Sequence, residues 1–266
     1  MKVIILAGGR GTRITEETEV KPKPMIKIGE LPIICHLMKY YSSFGHNEFI
    51  ICLGYKGYVI KEYFSNYLFL NSSHVELNTL TGEYHIHQNI SDNWNIHLLE
   101  TGLDTSTAGR LRQAFSILKN DEKCFLSYGD VLSNVDLHDL EAMHLNNNKL
   151  ITVTGGIPPS KYGSLQLDNS DSGMKYSLAK GFTEKPFQQM GWVSTGFFLC
   201  DKRVDKYIHS IHETWEQEPL QRLCSAGELG VFKHSGFWQP VDTVRDKLKM
   251  QKLWGLKGEM APWCVW

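Results

Sequence analysis

The feature that most constrains the fold is the opening stretch, which reads MKVIILAGGRGTR. A short apolar run, KVIILA, meets two adjacent glycines and then a turn with Arg13 at its far side. An apolar run of this length that stops at glycine indicates a buried strand. In an open α/β sheet, ligands bind beyond the carboxyl ends of the strands. The sequence therefore predicts a ligand-binding turn directly after the first strand.

The composition of this turn favours an anionic ligand. Glycines allow main-chain N–H groups to approach an anion closely, and Arg13 adds a planar cation that suits phosphate oxygens. The turn lacks the GxxxxGK[ST] pattern of a P-loop, and Ile14 stands where a dinucleotide fingerprint needs its third glycine. Residues 20–25, VKPKPM, then place Lys21 and Lys23 between prolines on a stiff segment. The glycine turn, Arg13 and Lys23 together predict a triphosphate cradle.

Apolar periodicity along the chain alternates between strands and helices. In the first half we expect strands at 2–7, 48–55, 94–101 and 123–130, helices at 32–44, 58–68 and 107–119, and a β-hairpin within 71–93. In the second half we expect strands at 150–156, 162–167, 193–200, at the start of 174–186 and within 228–243, and helices at 203–211, 219–227 and 246–256. This alternation predicts an α/β fold with a mainly parallel mixed sheet flanked by helices, and a β-rich second half.

Composition and charge exclude several classes of protein. The chain has 266 residues, of which 42% are hydrophobic, so it can bury a sizeable core. A net charge of −1 argues against binding nucleic acid through its phosphates. We expect no membrane association, because no apolar stretch approaches the length of a span. The six cysteines form no CxxC pair, which favours reduced thiols and a cytoplasmic location. They are Cys35, Cys52, Cys124, Cys200, Cys224 and Cys264.

The motif LAGGRGTR followed by KPKPM resembles the signature of the sugar nucleotidyltransferases. Further motifs resemble the glucose-1-phosphate cytidylyltransferases within that family; these are FIICLGYKGYVIKEYF, TAGRL, YGD, FTEKP, TWEQEPL, GFWQPVDTVRDK and APW. The resemblance implies a Rossmann-like nucleotidyltransferase fold in one domain, with a nucleotide-binding half at 1–130 and a sugar-phosphate-binding half at 131–266. It also implies transfer of a cytidylyl group from CTP to a sugar 1-phosphate, giving CDP-glucose and pyrophosphate for surface polysaccharide synthesis.

The resemblance also assigns roles to individual residues. It implies catalytic roles for Arg13, Lys23, Asp130 and Lys185. The implied nucleotide-binding residues are Leu6, Ala7, Gly8, Gly9, Gly11, Thr12, Arg13, Lys23, Thr105, Gly109, Arg110, Gly129 and Asp130. The implied sugar-phosphate-binding residues are Tyr162, Gly163, Glu184, Lys185, Ser194, Thr195 and Gly196. Mg²⁺ would be held by Asp130 and Asp242. Asp130 is also a candidate from its position alone, because it ends the strand FLSYGD at the ligand-binding edge.

Two positions depart from the pattern of the glucose enzymes. Val131 follows Asp130 where the family carries glycine, and Ser194-Thr195-Gly196 replaces an Asn-Gly-Gly run. The acceptor could therefore be another sugar or polyol phosphate, and a thymidylyl- or uridylyltransferase would share the same cradle. A non-catalytic nucleotide-binding protein is a further alternative. A nicotinamide oxidoreductase is disfavoured, since Gly54 stands where the acidic residue after the second strand would lie.

Three further expectations concern assembly, one segment and one tryptophan. The resemblance implies a homo-oligomer, up to a hexamer. The residues of the segment from Trp215 to Glu218 do not decide its role, and a subunit contact and a wall of the sugar site are both open. Trp238 is expected to pack rather than to react.

Overall fold

The structure, a computed structural model, describes residues 1–87, 92–119, 122–158, 191–255 and 261–266, and the backbone of 164–167 and 179–183. The strands are β1 (Lys2–Leu6), β2 (Lys27–Ile28), β3 (Leu31–Pro32), β4 (Glu48–Leu53), β5 (His74–Leu77), β6 (Tyr84–His87), β7 (Asn95–Glu100), β8 (Lys123–Tyr128), β9 (Val131–Ser133), β10 (Ile151–Gly156), β11 (Ser164–Leu167), β12 (Ala179–Thr183), β13 (Val193–Asp201), β14 (Leu229–His234) and β15 (Trp238–Pro240). The α-helices are α1 (Thr15–Thr18), α2 (Ile33–Ser43), α3 (Gly57–Ser65), α4 (Tyr67–Asn71), α5 (Thr107–Phe115), α6 (Leu137–Asn147), α7 (Glu218–Ser225) and α8 (Val244–Trp254).

The main sheet has the strand order β14-β10-β13-β8-β1-β4-β7 within the described residues. Strand β1 is parallel to both β4 and β8, and β4 is parallel to β7. Strand β13 is antiparallel to its neighbours β8 and β10, which makes the sheet mixed. The predicted mainly parallel mixed sheet is confirmed. Because β1, β4 and β8 run the same way, their carboxyl ends meet at one edge.

Alternate residues of the central strands face opposite sides of the sheet, as the strand period requires. Val3 and Ile5 of β1 join one buried cluster, which also contains the apolar face of α2. Ile4 and Leu6 join a second cluster with the apolar face of α5. The sheet is therefore covered by helices on both faces, as predicted.

Local predictions have mixed outcomes. Strands β5 and β6 pair antiparallel, which confirms the hairpin. The helix expected at 58–68 is two helices, α3 and α4, separated at Asn66. The helix expected at 203–211 is wrong: a 3₁₀ segment spans Lys202–Tyr207, and the chain then leaves helical conformation, so that its carbonyls accept hydrogen bonds from N–H groups at the start of α5. Helix α6 was missed, although Asp136 caps it by accepting two main-chain hydrogen bonds.

Parts of two strand predictions, residues 162–163 and those of 174–186 other than 179–183, lie outside the described residues. Among the helices that are described, none is both long and apolar enough to cross a lipid bilayer.

Candidate active site

The turn after β1 is held at the carboxyl edge of the sheet by its neighbours. The Ala7 N–H donates to the Cys52 carbonyl at 3.0 Å, and the Gly129 N–H donates to the Leu6 carbonyl at 3.0 Å. A cavity of about 400 Å³ lies at this edge. Ligand binding at this position is typical of open α/β sheets.

The cavity brings together the predicted nucleotide-binding residues, with the exception of Gly109. Those in its wall are Leu6, Ala7, Gly8, Gly9, Gly11, Thr12, Arg13, Lys23, Thr105, Arg110, Gly129 and Asp130. Gly109 lies behind the wall, where a Cβ atom would come within 2.4 Å of the Ile211 carbonyl oxygen. Glycine at this position therefore allows the chain near Ile211 to pack against α5.

Four charged side chains, which we call the charged cluster, meet beside the turn: Arg13, Lys23, Asp130 and Asp242. The Lys23 Nζ atom lies 2.5 Å from Asp130 Oδ2 and 2.5 Å from Asp242 Oδ1. Arg13 Nη1 lies 3.0 Å from Asp242 Oδ2. Lys23 is buried, with 7% of its surface exposed, so its charge depends on these two carboxylates for compensation.

Prolines and glycine fix the position of Lys23. It begins a single 3₁₀ turn, Lys23–Met25, which Pro22 precedes in an extended conformation. Pro24 packs over Gly129, where a Cβ atom would lie 2.9 Å from Pro24 Cγ. The small residue in the YGD motif thus lets the lysine-bearing segment dock on the end of β8.

A two-stranded ribbon brings Asp242 to Asp130. Strand β15 pairs antiparallel with β9, which directly follows Asp130. The Val241 N–H donates to the Asp130 carbonyl at 2.9 Å, so the two aspartates enter the site from adjoining strands. On its other side, the Asp242 N–H donates to Asp246 in the first turn of α8 at 3.2 Å.

The charged cluster fits a Mg²⁺ site in its donor chemistry. Oxygens from two carboxylates converge on one cation, Lys23 Nζ, within hydrogen-bond distance. Mg²⁺ prefers oxygen ligands and is often held by one or two carboxylates together with substrate phosphates. The described residues hold no group of three or more His, Cys, Asp or Glu side chains arranged for a metal. Asp130 and Asp242 are the two carboxylates that meet at Lys23 beside the cavity.

A second part of the cavity wall, which we call the Arg110 network, has a different character. Arg110 Nη1 donates to Thr101 Oγ1 at 2.6 Å and to the carbonyls of Gly102 and Leu53 at 2.8 and 2.9 Å. Its Nη2 donates to the Leu103 carbonyl at 3.3 Å. Burial lowers the pKa of Arg110 from its usual value, although the guanidinium still keeps its proton.

Two glycines make room for the Arg110 guanidinium. A Cβ atom on Gly8 would lie 2.2 Å from Arg110 Nη1, and one on Gly54 would lie 2.4 Å from the same atom. Gly8 is therefore constrained by packing against a side chain of α5. Gly9, in contrast, has no atom within 4 Å of a Cβ position.

The predicted acceptor residues are only partly described. Tyr162, Gly163, Glu184 and Lys185 lie outside the described residues. Ser194, Thr195 and Gly196 begin β13, and none of them lines the cavity. The Thr195 hydroxyl donates to the Thr154 carbonyl at 2.9 Å, whereas Ser194 is exposed.

The structure adds residues that sequence reasoning did not assign to the nucleotide. Pro24, Ser106, Thr107, Tyr128 and Thr214 also line the cavity. Pro24 lies in the KPKPM motif beside Lys23, and Tyr128 lies in the YGD motif two residues before Asp130. Their closeness in sequence to predicted site residues could have identified both. Thr214 belongs to the TWEQEPL motif, to which no role was assigned. Burial and the neighbouring Glu216 carboxylate raise the pKa of Tyr128 well above its usual value.

Comparison with known proteins places these features in a family. The family model described as nucleotidyl transferase matches residues 2–252. The glucose-1-phosphate cytidylyltransferases of Salmonella typhimurium and Salmonella typhi are each 43% identical to this chain over 266 residues, covering 100% of both chains. A crystal structure of UDP-glucose pyrophosphorylase complexed with UDP-glucose shares the fold, with a TM-score of 0.66, 15% identity, and coverage of 94% of this chain and 97% of that one. The chain belongs to the nucleotidyl transferase family.

Proposed function

We propose that this enzyme transfers a cytidylyl group from CTP to glucose 1-phosphate and releases pyrophosphate, which makes CDP-glucose. The observation that carries the proposal is the charged cluster at the cavity, where Arg13, Lys23 and Asp130 line the wall and Asp242 contacts the two cations. Its support comes from full-length relatives that are 43% identical and named glucose-1-phosphate cytidylyltransferases.

The reaction joins two anions. A phosphate oxygen of the sugar 1-phosphate attacks the α-phosphorus of the nucleotide, and the bond from that phosphorus to the bridging oxygen of pyrophosphate breaks. The attacking oxygen is already ionised, so no general base is needed. The barrier then depends on charge repulsion and on alignment, and cations fixed in position reduce both.

The charged cluster supplies these cations. Arg13 and Lys23 would bind the triphosphate, and each can exchange its present carboxylate for phosphate oxygens. Mg²⁺ held by Asp130 and Asp242 would neutralise charge on the phosphates as pyrophosphate leaves. The two carboxylates also keep Lys23 and Arg13 at one side of the cavity until a nucleotide arrives.

The Arg110 network supplies a fixed wall. Its guanidinium is held by carbonyls and by Thr101, so it presents a planar surface of constant position to the base. We propose that cytosine is recognised here, with Thr105 beside it in the wall. A rigid polar wall can discriminate between bases by orders of magnitude, because a wrong base leaves buried donors or acceptors unpaired.

For the acceptor, we propose that Lys185 binds the sugar phosphate and that Glu184 and the Tyr162-Gly163 turn contact the sugar. Within β13, Ser194 is the better candidate for a sugar contact, since the Thr195 hydroxyl already donates to a main-chain carbonyl. Val131 is buried and does not line the cavity, so its side chain would affect the shape of the site through packing.

The test is a pyrophosphate-release assay with Mg²⁺ that crosses CTP, UTP, dTTP, ATP and GTP with a panel of sugar 1-phosphates. We expect CTP with glucose 1-phosphate to be the best pair. If CTP reacts best with a different acceptor, the departures at 131 and 194–195 mark a changed specificity for the sugar. Another nucleotide would overturn the assignment of the base, and no release with any pair would favour a non-catalytic binder.

We also propose that copies of the chain associate in a homo-oligomer in the cytoplasm. Support comes from exposed apolar side chains on α4 and the adjacent hairpin, where the rings of Phe69 and Tyr84 lie 5.7 Å apart. Leu80, at the hairpin turn, is 94% exposed. Exposed apolar side chains grouped in this way are typical of an interface. Light scattering of the wild type and of a Leu80→Glu variant tests this proposal.

A further inference from the structure

The chain from residue 209 to 217, which we call the arm, covers the start of α5. The Ser106 N–H donates to the Ile211 carbonyl at 3.1 Å, and the Ala108 N–H donates to the Glu213 carbonyl at 3.3 Å. No side chain caps this helix in the usual way. The arm therefore satisfies main-chain donors that an N-cap residue would otherwise satisfy.

The arm is anchored on both sides. Glu213 forms an ion pair with Arg222 of α7. Trp215 is fully buried, its ring packs edge-on against Phe198, and its main-chain N–H donates to Thr107 Oγ1 at 2.8 Å. Between these anchors, Thr214 lines the cavity. The arm is thus a fixed wall of the proposed nucleotide site.

The side chain of Glu216 links two further parts of that wall. Thr107 Oγ1 donates to Glu216 Oε2 at 3.1 Å, and the Tyr128 hydroxyl donates to Glu216 Oε1. Thr107 begins α5 and Tyr128 ends β8, so one carboxylate joins two elements on either side of the cavity. Hydrogen bonds to an ionised acceptor are roughly twice as strong as those between neutral groups.

Tyr128 connects this carboxylate to the reacting end of the site. It stands two residues before Asp130, and its ring fills the space above Gly196, where a Cβ atom would lie 2.5 Å from Tyr128 Cδ2. Gly196 has a φ of +85°, so both its backbone conformation and the nearby Tyr128 ring require glycine at this position. The ring therefore lies between the nucleotide cavity and the strand that carries Ser194.

A carboxylate at this position is otherwise unfavourable. Glu216 is exposed at the edge of a cavity that receives two phosphorylated substrates, and among the described residues no lysine or arginine pairs with it. Its negative charge would repel these substrates, and it does not contact the other carboxylates of the site. Holding the Thr107 and Tyr128 hydroxyls is the role that its contacts show.

We propose that Glu216 is a positioning residue of the transfer reaction, which fixes Tyr128 and the start of α5 so that the arm, the nucleotide and Asp130 keep one alignment. The inference rests on the proposed cytidylyl transfer. It predicts that losing Glu216 reduces kcat more than it raises the KM for the nucleotide. Small misplacements of reacting groups can reduce rates by about 100-fold.

The experiment compares Glu216→Ala, Glu216→Gln, Tyr128→Phe and the double variant Glu216→Ala/Tyr128→Phe. The matched control is Gln217→Ala, the next residue of the arm, which is also exposed. We expect kcat to fall about 10- to 100-fold for Glu216→Ala, with a smaller loss for Glu216→Gln, whose amide can still bond both hydroxyls. The double variant should be no worse than the poorer single variant, because the two residues act through one contact.

Melting temperatures and active-site titrations of each variant separate positioning from folding. A merely structural role would lower the melting temperature or the fraction of active enzyme and leave kcat per active site unchanged, which would overturn the inference. Equal kcat in Glu216→Ala and Gln217→Ala, or fully additive losses in the double variant, would overturn it too. A wild-type protein with no pyrophosphate release would overturn the proposed function, and this inference with it.

Discussion

Lys23 and Arg110 are buried cations in the wall of the same cavity, but their partners differ. In the charged cluster, Lys23 meets the side-chain carboxylates of Asp130 and Asp242. In the Arg110 network, the guanidinium meets the Thr101 hydroxyl and main-chain carbonyls, with no carboxylate among these bonds. The charge of Lys23 is thus compensated by carboxylates, whereas the Arg110 guanidinium is stabilised by neutral hydrogen-bond acceptors.

The difference separates the part of the site that can rearrange from the part that cannot. Ion pairs between long side chains of separate segments can exchange partners when phosphate or metal ions enter. Arg110 is bonded to the main chain and packed against Gly8 and Gly54, so its position is fixed before any ligand binds. The charged cluster therefore suits chemistry in which charge moves, and the Arg110 network suits recognition of a constant shape.

The largest effect is expected for Lys23→Met. Removing this cation should reduce kcat/KM by about 10³-fold, because one positioned donor to developing charge contributes a factor of that size. The same change leaves Asp130 without its cation and Asp242 with Arg13 alone, so nucleotide-free enzyme should bind Mn²⁺ more tightly, measured by electron paramagnetic resonance.

Lys21→Met is the matched control, since Lys21 pairs with Glu17 outside the cavity wall. Its activity and Mn²⁺ binding should match those of the wild type. Unchanged Mn²⁺ affinity in Lys23→Met would show that lysine and metal do not compete for the two carboxylates.

A smaller loss, about 100-fold in kcat, is expected for Asp242→Asn. This change keeps the size of the side chain but removes the charge that Lys23 and Arg13 share. The Mg²⁺ concentration for half-maximal activity should rise, measured by titrating Mg²⁺ in the pyrophosphate-release assay. A loss of activity with an unaltered Mg²⁺ requirement would contradict a metal role for Asp242.

Gly8→Ala tests the rigidity of the Arg110 network. The added methyl group would lie 2.2 Å from Arg110 Nη1, and the guanidinium could move only by breaking its hydrogen bonds. We expect the free energy of unfolding to fall by about 1–3 kcal/mol, as in overpacked cores, and the KM for the nucleotide to rise. Gly9→Ala has open space and should change stability by less than about 0.5 kcal/mol. Chemical denaturation of both variants measures the contrast, and equal stability would contradict it.

His36 is a third buried basic side chain, and its imidazole, unlike the side chains of Lys23 and Arg110, readily loses its proton. It lies 2.8 Å from the Ile28 carbonyl and accepts from Trp263 Nε1 at 3.3 Å, with no carboxylate beside it. Burial lowers its pKa to about 4. The unfolded chain binds this proton near pH 6.5. Stability should therefore be lost as pH falls from about 6.5 towards about 4, by about 2.5 kcal/mol from this group at pH 4.5.

His36→Gln should reduce this pH dependence of the unfolding free energy, whereas His209→Gln, at an exposed position, should not. Denaturation curves at pH 7 and 4.5 give the comparison. A wild-type and a His36→Gln protein with the same pH slope would show that His36 is not the titrating group.

The sequence predicted those parts of the site that lie close to strand ends. The turn after β1 and Asp130 after β8 follow from short apolar runs that stop at glycine or at a carboxylate. Asp242 had no such signal, because its position depends on the pairing of β15 with β9, a contact between distant parts of the chain. The helix expected at 203–211 failed at its end, where the chain passes into the arm and the Ile211 carbonyl accepts from the Ser106 N–H at the start of α5. Helix α6 could have been found from its cap, Asp136.

The pairing of Lys23 with Asp242 spans 219 residues of sequence, and the ribbon that delivers Asp242 lies near the end of the described chain. Contacts between residues far apart in sequence form slowly, because a long loop must close before any bond is gained. The glycine turn and β8 can thus assemble before β15 pairs with β9. During synthesis and refolding, catalytic competence then waits for this pairing, so that enzymatic turnover reports formation of a long-range contact.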